Sequence, residues 1–394
     1  MRTYFELFRT KGVAAVIWSQ LLARFAFGMS TIAFAVHLQH IFNNYTVAGL
    51  AIGATTVGQA LSGPILGRAL AKLGIRPVVL MGTVVAPICF LLIAFAPISE
   101  GFAIAVSLVL GLAMPPIQPA ARAVYPTLVK SESQRSTLFS VDAILQEIIW
   151  ILGPVLATVL IATTNTIVPI VAMAVIQLVG GSWFALLPQV HGAPIPRSTK
   201  RMGSVLRSRM VRVMIIVNLL FVASFSALEI GTIAAVGQAE AGFVICMLSI
   251  GSVVGGLAWG HRARSPRALT YQLGIVLLGD LLIFFNATEA IWLGVCLFIS
   301  GIGVALAFAT IGMIISKTVK LDDTTEAYGW INSGQSIGYG AGAAVAGIVV
   351  DKLTSTTSFA LATGLDFLAL LVALSAVAIT PAFLNSESKK EDSK

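Results

Sequence analysis

Residues 58–76 read GQALSGPILGRALAKLGIR, and residues 251–267 read GSVVGGLAWGHRARSPR. In the first, Gly58, Gly63 and Gly67 precede Arg68; in the second, Gly251, Gly256 and Gly260 precede His261 and Arg262. All three glycine pairs share an offset of 193 residues. The match continues downstream, with LVKSESQRSTLF (128–139) beside TVKLDDTTEAYG (318–329) and QEIIWILG (146–153) beside QSIGYGAG (335–342). Ordered matches at nearly constant offset mark an internal duplication. Glycines recurring every four or five residues let helices approach closely.

What is duplicated follows from composition. Hydrophobic residues make up 57% of the chain and charged residues 11%, against about 25% charged in an ordinary soluble domain. A membrane span needs about 20 mostly apolar residues. Twelve such runs occur, near 13–38, 46–70, 75–97, 100–124, 136–163, 166–188, 211–237, 241–260, 268–287, 290–316, 324–350 and 356–381. Transmembrane strands would be about ten residues long with alternating polarity, and these runs are neither. The expectation is an all-α integral membrane protein with twelve transmembrane helices in two pseudo-symmetric six-helix bundles. The first bundle covers 1–188, a linker loop 189–210, the second bundle 211–384, and a charged, disordered tail 385–394. No cleavable signal peptide is expected, because the first apolar run is as long as a span and lacks a small-residue cleavage site. Cys89, Cys246 and Cys296 fall in apolar runs without paired spacing, so neither a disulfide framework nor a metal site is expected.

Basic residues alternate from loop to loop. Arg9 and Lys11 precede span 1, Arg68, Lys72 and Arg76 follow span 2, and Lys130 and Arg135 follow span 4. Arg197, Lys200, Arg201, Arg207, Arg209 and Arg212 fill the central loop, Arg262, Arg264 and Arg267 follow span 8, and Lys317 and Lys320 follow span 10. The intervening loops carry no Lys or Arg apart from Lys352. Basic loops stay cytoplasmic, which places both termini in the cytoplasm. The net charge of +8 is thereby a topology signal facing the lipid bilayer. It is not a nucleic-acid surface, which would gather charge on one soluble module.

Twelve spans, related halves, a basic central loop and a Gly-rich turn after span 2 together resemble the major facilitator superfamily. The likeness covers essentially the whole chain. That family's loop between spans 2 and 3 reads Gly-x-x-x-Asp-Arg/Lys-x-Gly-Arg-Arg/Lys; here Gly67, Lys72, Gly74 and Arg76 match, and Ala71 stands where the family has Asp. The resemblance implies a gating role for these residues, with the Asp-based latch absent. Gly153 and Pro154 resemble the Gly-Pro pair of span 5 in efflux-type proton antiporters, although Leu145 replaces an upstream glycine. The family's span 4 arginine, where present, would fall near Ser107. The resemblance further implies two halves rocking about a site near the bilayer midplane, a monomer, and a bacterial inner (cell) membrane.

Ionisable groups inside membrane helices are costly, about 2.5–3.5 kcal/mol each near the centre, and they mark function or a paired contact. Arg24, Asp142, Glu147, Glu229, Asp280 and Asp366 fall inside the spans. Arg24 and Glu147 each lie eleven residues from the basic-loop end of their span, roughly 16 Å deep at about 1.5 Å per residue. Spans 1 and 5 are neighbours in the resembled fold, so an Arg24–Glu147 pair is expected. The pair either joins two helices structurally, or makes Glu147 a proton carrier tuned by Arg24; alternatively Arg24 contacts an anionic substrate. Asp142 is expected to face a different direction and meet the basic loops, or to join Glu147, Arg24 and Glu229 in proton coupling. Asp280 and Asp366, on spans peripheral in that family, are expected to contact each other, stay protonated or face lipid. Gln20, Arg24, Phe27, Gln146, Trp150, Asn218, Glu229 and Gln335 are the candidate substrate-binding residues. Gln20, Arg24 and Phe27 share a face of span 1 by their i, i+4 and i+3 spacing. His37 and His40 are spaced i, i+3 without a further ligand, so no metal site is expected there.

The chain has no Walker motif or Gly-rich nucleotide turn and no catalytic constellation, so neither a primary pump nor an enzyme is expected, and no cofactor. The expected function is secondary active transport by alternating access, most directly proton-coupled export of small hydrophobic or amphipathic compounds. A nutrient or organic-anion symporter, or a non-transporting scaffold or sensor, remain alternatives.

Overall fold

The computed structural model describes residues 7–391 apart from 44, 97–98, 130, 194–201 and 262–264, and excludes the side chains of 45–46, 238–239, 351 and 379–391. Lys130, Arg197, Lys200, Arg201, Arg262 and Arg264 therefore lie outside the described residues. Among those described there is no strand, and twelve long helices follow one another. They are α1 Val13–Phe42, α2 Tyr45–Leu73, α3 Ile75–Phe95, α4 Glu100–Leu128, α5 Glu132–Thr163, α6 Val168–Leu186, α7 Arg209–Gly237, α8 Glu240–Trp259, α9 Pro266–Phe285, α10 Ala290–Thr318, α11 Thr324–Lys352 and α12 Ser355–Glu391. The last continues through most of 385–394, the segment whose charge reads as disordered. Serines supply helix starts, with Ser131, Ser208 and Ser265 accepting the backbone N–H three residues on. Gly237 turns α7 into α8 at φ 78°, a left-handed conformation that favours glycine.

Ten of these spans are long and apolar enough to cross a membrane by length and composition. The other two, α2 and α11, are 29 residues each but carry Thr55, Thr56, Gln59 and Ser62, and Asn332, Ser333, Gln335 and Ser336. Those side chains serve the interior, as shown below. On the outside, large apolar residues such as Trp18, Leu61, Phe95, Phe285 and Ile291 are exposed, forming the wide apolar surface that a bilayer covers.

The duplicated glycines do equivalent work in the two halves. A methyl group at Gly58 would fall on the Leu108 carbonyl of α4, and one at Gly251 on the Phe298 carbonyl of α10. Gly63 and Gly256 instead cross between halves. Gly63 lies against Gly329 and Ser333 of α11, and Gly256 against Ile144 of α5. The third pair repeats this: Gly67 abuts the Thr325 carbonyl of α11, and the Gly260 carbonyl accepts from Ser136 and Ser140 of α5 at 3.1 and 2.8 Å. One sequence motif thus builds both an intra-half seam and an inter-half seam.

All of these inter-half contacts lie towards the face carrying the basic loops. There the halves share one continuous apolar core, running from Val16, Leu66 and Phe139 to Met214, Ile311 and Tyr328. Towards the opposite face each half keeps its own core, around Phe34 and Phe90 in the first and around Leu228 and Phe359 in the second. The two bundles are therefore fused at one face and separate towards the other.

Main-chain contact leaves no room at this seam. Gly329→Leu is expected to wedge α2 from α11. In a background with the three native cysteines replaced by serine, Ser333→Cys should react with a membrane-impermeant maleimide faster once Gly329→Leu is added; an unchanged rate would contradict the seam.

Candidate functional site

A cavity of about 280 Å³ opens between the halves where their cores diverge. Its walls come from α1 (Arg24, Phe27, Thr31), α2 (Thr55, Thr56, Gln59), α4, α5 (Gln146, Trp150) and α11 (Asn332, Gln335, Tyr339), with Val222 of α7. The polar residues that lower the hydropathy of α2 and α11 line this space, except Ser333, which donates to the Ala60 carbonyl of α2. Phe27 and Trp150 meet edge to face at 5.5 Å across the α1–α5 seam, the same seam where the Gly153 backbone rests on Gly28. Pro154 follows within α5 without ending it.

The floor of the cavity is a charged cluster. Arg24 Nη1 donates to Asp142 Oδ1 at 2.8 Å, and Arg122 Nε donates to Asp142 Oδ2 at 2.8 Å. Tyr125 Oη donates to Asp142 Oδ1 at 3.1 Å while accepting from Gln20 Nε2 at 2.6 Å. Arg24 also donates to Gln20 Oε1 at 3.3 Å and to Gln146 Oε1. Asp142 is wholly buried, and Arg122 nearly so. Charge-assisted bonds to both carboxylate oxygens make a bridge of this kind strong and directional. Arg122 further lies over the ring of Tyr328 in α11, 5.8 Å from its centroid, and Tyr328 donates to the Gly312 carbonyl of α10 at 2.6 Å. The cluster therefore reaches from the first half into the second.

Several expectations change here. Arg24 pairs with Asp142, and the expected Arg24–Glu147 pair does not form. Depth along α5 had placed Glu147 level with Arg24, but direction decides: Asp142 and Gln146 are one turn apart and face α1, whereas Glu147 is rotated about 100° from Gln146. It points to α8, where Ser249 Oγ donates to Glu147 Oε2 at 3.2 Å and Ser252 also faces the carboxyl. Asp142 does not meet the basic loops. Gln20 lies behind Arg24, off the cavity wall, and Asn218 is buried in the second half with its Nδ2 donating to the Ile331 carbonyl at 3.1 Å. Glu229 stands behind the wall, accepting from the lining Tyr339 at 2.9 Å. Arg24, Phe27, Gln146, Trp150 and Gln335 do line the cavity.

Arg122 and Tyr125 were missed, and the signal was present. Pro115 and Pro116 interrupt α4, with Met114 extended at ψ 123°, as residues before proline prefer. The helix resumes at Ile117 and carries Arg122 into the interior; a span ending at 124 would have left it at the surface.

At the basic-loop face, Arg68 Nη1 of α2 meets Glu326 Oε2 at 3.2 Å and Asp323 Oδ1 at 3.9 Å. Glu326 also accepts from the Gly203 N–H of the linker at 2.6 Å. At the end of α2 Ala71 is buried and Lys72 exposed, and Arg76 in the first turn of α3 is exposed as well. Gly74 begins α3 at φ 92°. An ion pair thus joins the two halves without the family's loop Asp: the first half provides the cation and the second half the carboxylates.

Residues 16–236 and 224–393 each match the Major Facilitator Superfamily. The chain belongs to that superfamily. Its likeness to solved structures extends over nearly the whole fold. The human organic anion transporter MFSD10 (TETRAN) is 18% identical with a TM-score of 0.72, over 92% of this chain and 98% of that one. A bacterial homologue of the iron transporter ferroportin in the outward-facing state is 15% identical with a TM-score of 0.72, over 93% and 99%. No curated protein matches the sequence. Membership of that superfamily indicates a multi-pass membrane transporter.

Removing one member of a buried ion cluster leaves the others uncompensated, at a cost of about 3–5 kcal/mol. Asp142→Asn is expected to destabilise by that order, because it leaves two guanidinium groups facing each other. Arg24→Gln should destabilise less, since Arg122 still holds the carboxylate. Thermal unfolding in detergent reads the order, and equal losses would refute it.

Proposed function

We propose that the chain is a monomeric secondary active transporter that works by alternating access and exports small amphipathic compounds bearing an acidic group in exchange for protons. The observation that carries this reading is Arg24. Among the described residues lining the cavity it is the charged one, and the walls about it are aromatic and apolar with a few neutral polar groups. Asp142 is shared with Arg122, so this trio carries two positive charges and one negative. An acidic group beside Arg24 would balance the excess, and Phe27 and Trp150 would take the apolar body. Pockets of this make-up suit ligands with one polar anchor. The similar human fold is that of an organic anion transporter, in agreement with this reading.

Glu147 supports the proton step. Its partners Ser249 and Ser252 belong to the other half, so any rocking that parts α5 from α8 takes those hydroxyls away. The carboxyl's hold on a proton is thereby tied to which way the halves lean, which is what coupling requires. Export is supported by the resemblance of Gly153 and Pro154 to efflux-type members. With the basic loops in the cytoplasm of a bacterial inner membrane, the fused face is cytoplasmic and the cavity opens outward. Uptake of an organic anion with protons would use the same two groups.

Amphipaths of one chain length but different head groups test the substrate class. A ligand at 100 times its Kd raises apparent stability by about 2.7 kcal/mol. Carboxylate and sulfonate heads should stabilise the protein, and trimethylammonium heads should not. Arg24→Gln should weaken anion binding roughly tenfold to a hundredfold, as losing a charged hydrogen bond of about 1.5–3 kcal/mol would. Equal response to both heads would overturn the class. In liposomes, Glu147→Gln should abolish substrate-driven proton flux; retained flux would remove Glu147 from coupling, and the sign of the flux separates exchange from symport.

A further inference from the structure

Asp280 of α9 and Asp366 of α12 are wholly buried, and neither lines the cavity. Their carboxyl groups face each other between the two helices. Ser224 Oγ of α7 donates to Asp366 Oδ1 at 2.9 Å, and Ser300 of α10 faces Asp280. Among the described residues no donor lies within hydrogen-bond distance of Asp280 Oδ1, Asp280 Oδ2 or Asp366 Oδ2, and Ser300 Oγ, equally buried, has no hydrogen-bond partner either. The one further titratable side chain that faces the pair is Cys296 of α10. Neither carboxyl forms an ion pair with a described Lys, Arg or His.

Two ionised carboxylates are acceptors only, so neither can satisfy the other unless one of them carries a proton. Without one, two like charges would stand side by side at membrane depth with nothing to offset them. We propose that Asp280 and Asp366 form a proton-binding site of their own, separate from the cavity and from Glu147, holding at least one proton between α9 and α12 at neutral pH. The site is connected to the transport path. Ser224, which bonds Asp366, follows Val222 by two residues on α7, and Val222 lines the cavity. One side of α7 therefore borders the cavity and the other the carboxyl pair.

Infrared spectroscopy of the full-length protein in a maltoside detergent, which has no ester carbonyl of its own, tests this directly. The wild type at neutral pH, minus the Asp280→Asn/Asp366→Asn double variant, should show a protonated-carboxyl C=O band that shifts in heavy water. Loss of that band in the variant is the expected result; its absence from the difference spectrum means both groups are ionised and overturns the proposal. Sodium chloride added at constant pH should leave the band unchanged. Erosion of the band by sodium, without a change of pH, would assign the site to a metal cation instead. If the double variant does not elute as a single species, Asp366→Asn alone provides the same difference, because its amide can donate to Asp280.

Discussion

A guanidinium in a membrane interior cannot shed its charge, and the first half of this protein holds two. Asp142 lies between them, one oxygen for Arg24 and the other for Arg122. Much else is arranged around that bridge. Gln20 and Tyr125 occupy remaining hydrogen-bonding positions behind it, Gln146 steadies Arg24 at the cavity wall, and Tyr328 brings the second half against Arg122. Buried ion clusters seldom surpass apolar packing in stability. What this one provides is a fixed positive group facing a space that is otherwise mostly apolar.

Around the cluster, the scaffold is assembled from one duplicated device. Gly58 and Gly251 bind helices within each half, while Gly63, Gly67, Gly256 and Gly260 bring backbone of one half against the other. The ion pair at Arg68 reinforces the same face. Charge, by contrast, is not duplicated. The first half keeps the arginine–carboxylate bridge near the cavity, and the second keeps an acidic pair on the far side of α7.

The glycine repeat, the apolar runs and the alternation of basic loops made twelve spans and two halves legible from sequence, because each follows from local composition. Depth was legible too: Arg24 and Glu147 both lie well inside the bundle. Direction around a helix axis was not. A rotation of about 100° per residue separates Gln146, facing Arg24, from Glu147, facing the opposite half. Depth alone cannot register that difference. Arg122 escaped for another reason: it stands two residues from the end of the apolar run 100–124, whereas the helix continues to Leu128 and buries it. Asn218 and Gln20 are polar and well buried, and their partners are other protein groups, which sequence position alone does not reveal.

The break in α4 at Met114–Pro116 gives the cavity a wall that side chains do not determine. Pro115 and Pro116 have no N–H, so the carbonyls of Gly111 and Leu112, four residues earlier, lose their usual helical donors. Ser62 Oγ of α2 takes up the Gly111 carbonyl at 3.3 Å, which ties the bend to a neighbouring helix. Met114, Pro115 and Pro116 themselves border the cavity. The course of the main chain at this bend is fixed by the two prolines and by Ser62, away from the side chains of α1, α5 and α11 that line the rest of the cavity. Substitutions at Phe27, Trp150 or Gln335 would change the size of the chamber while leaving that bend, and the wall it forms, in place.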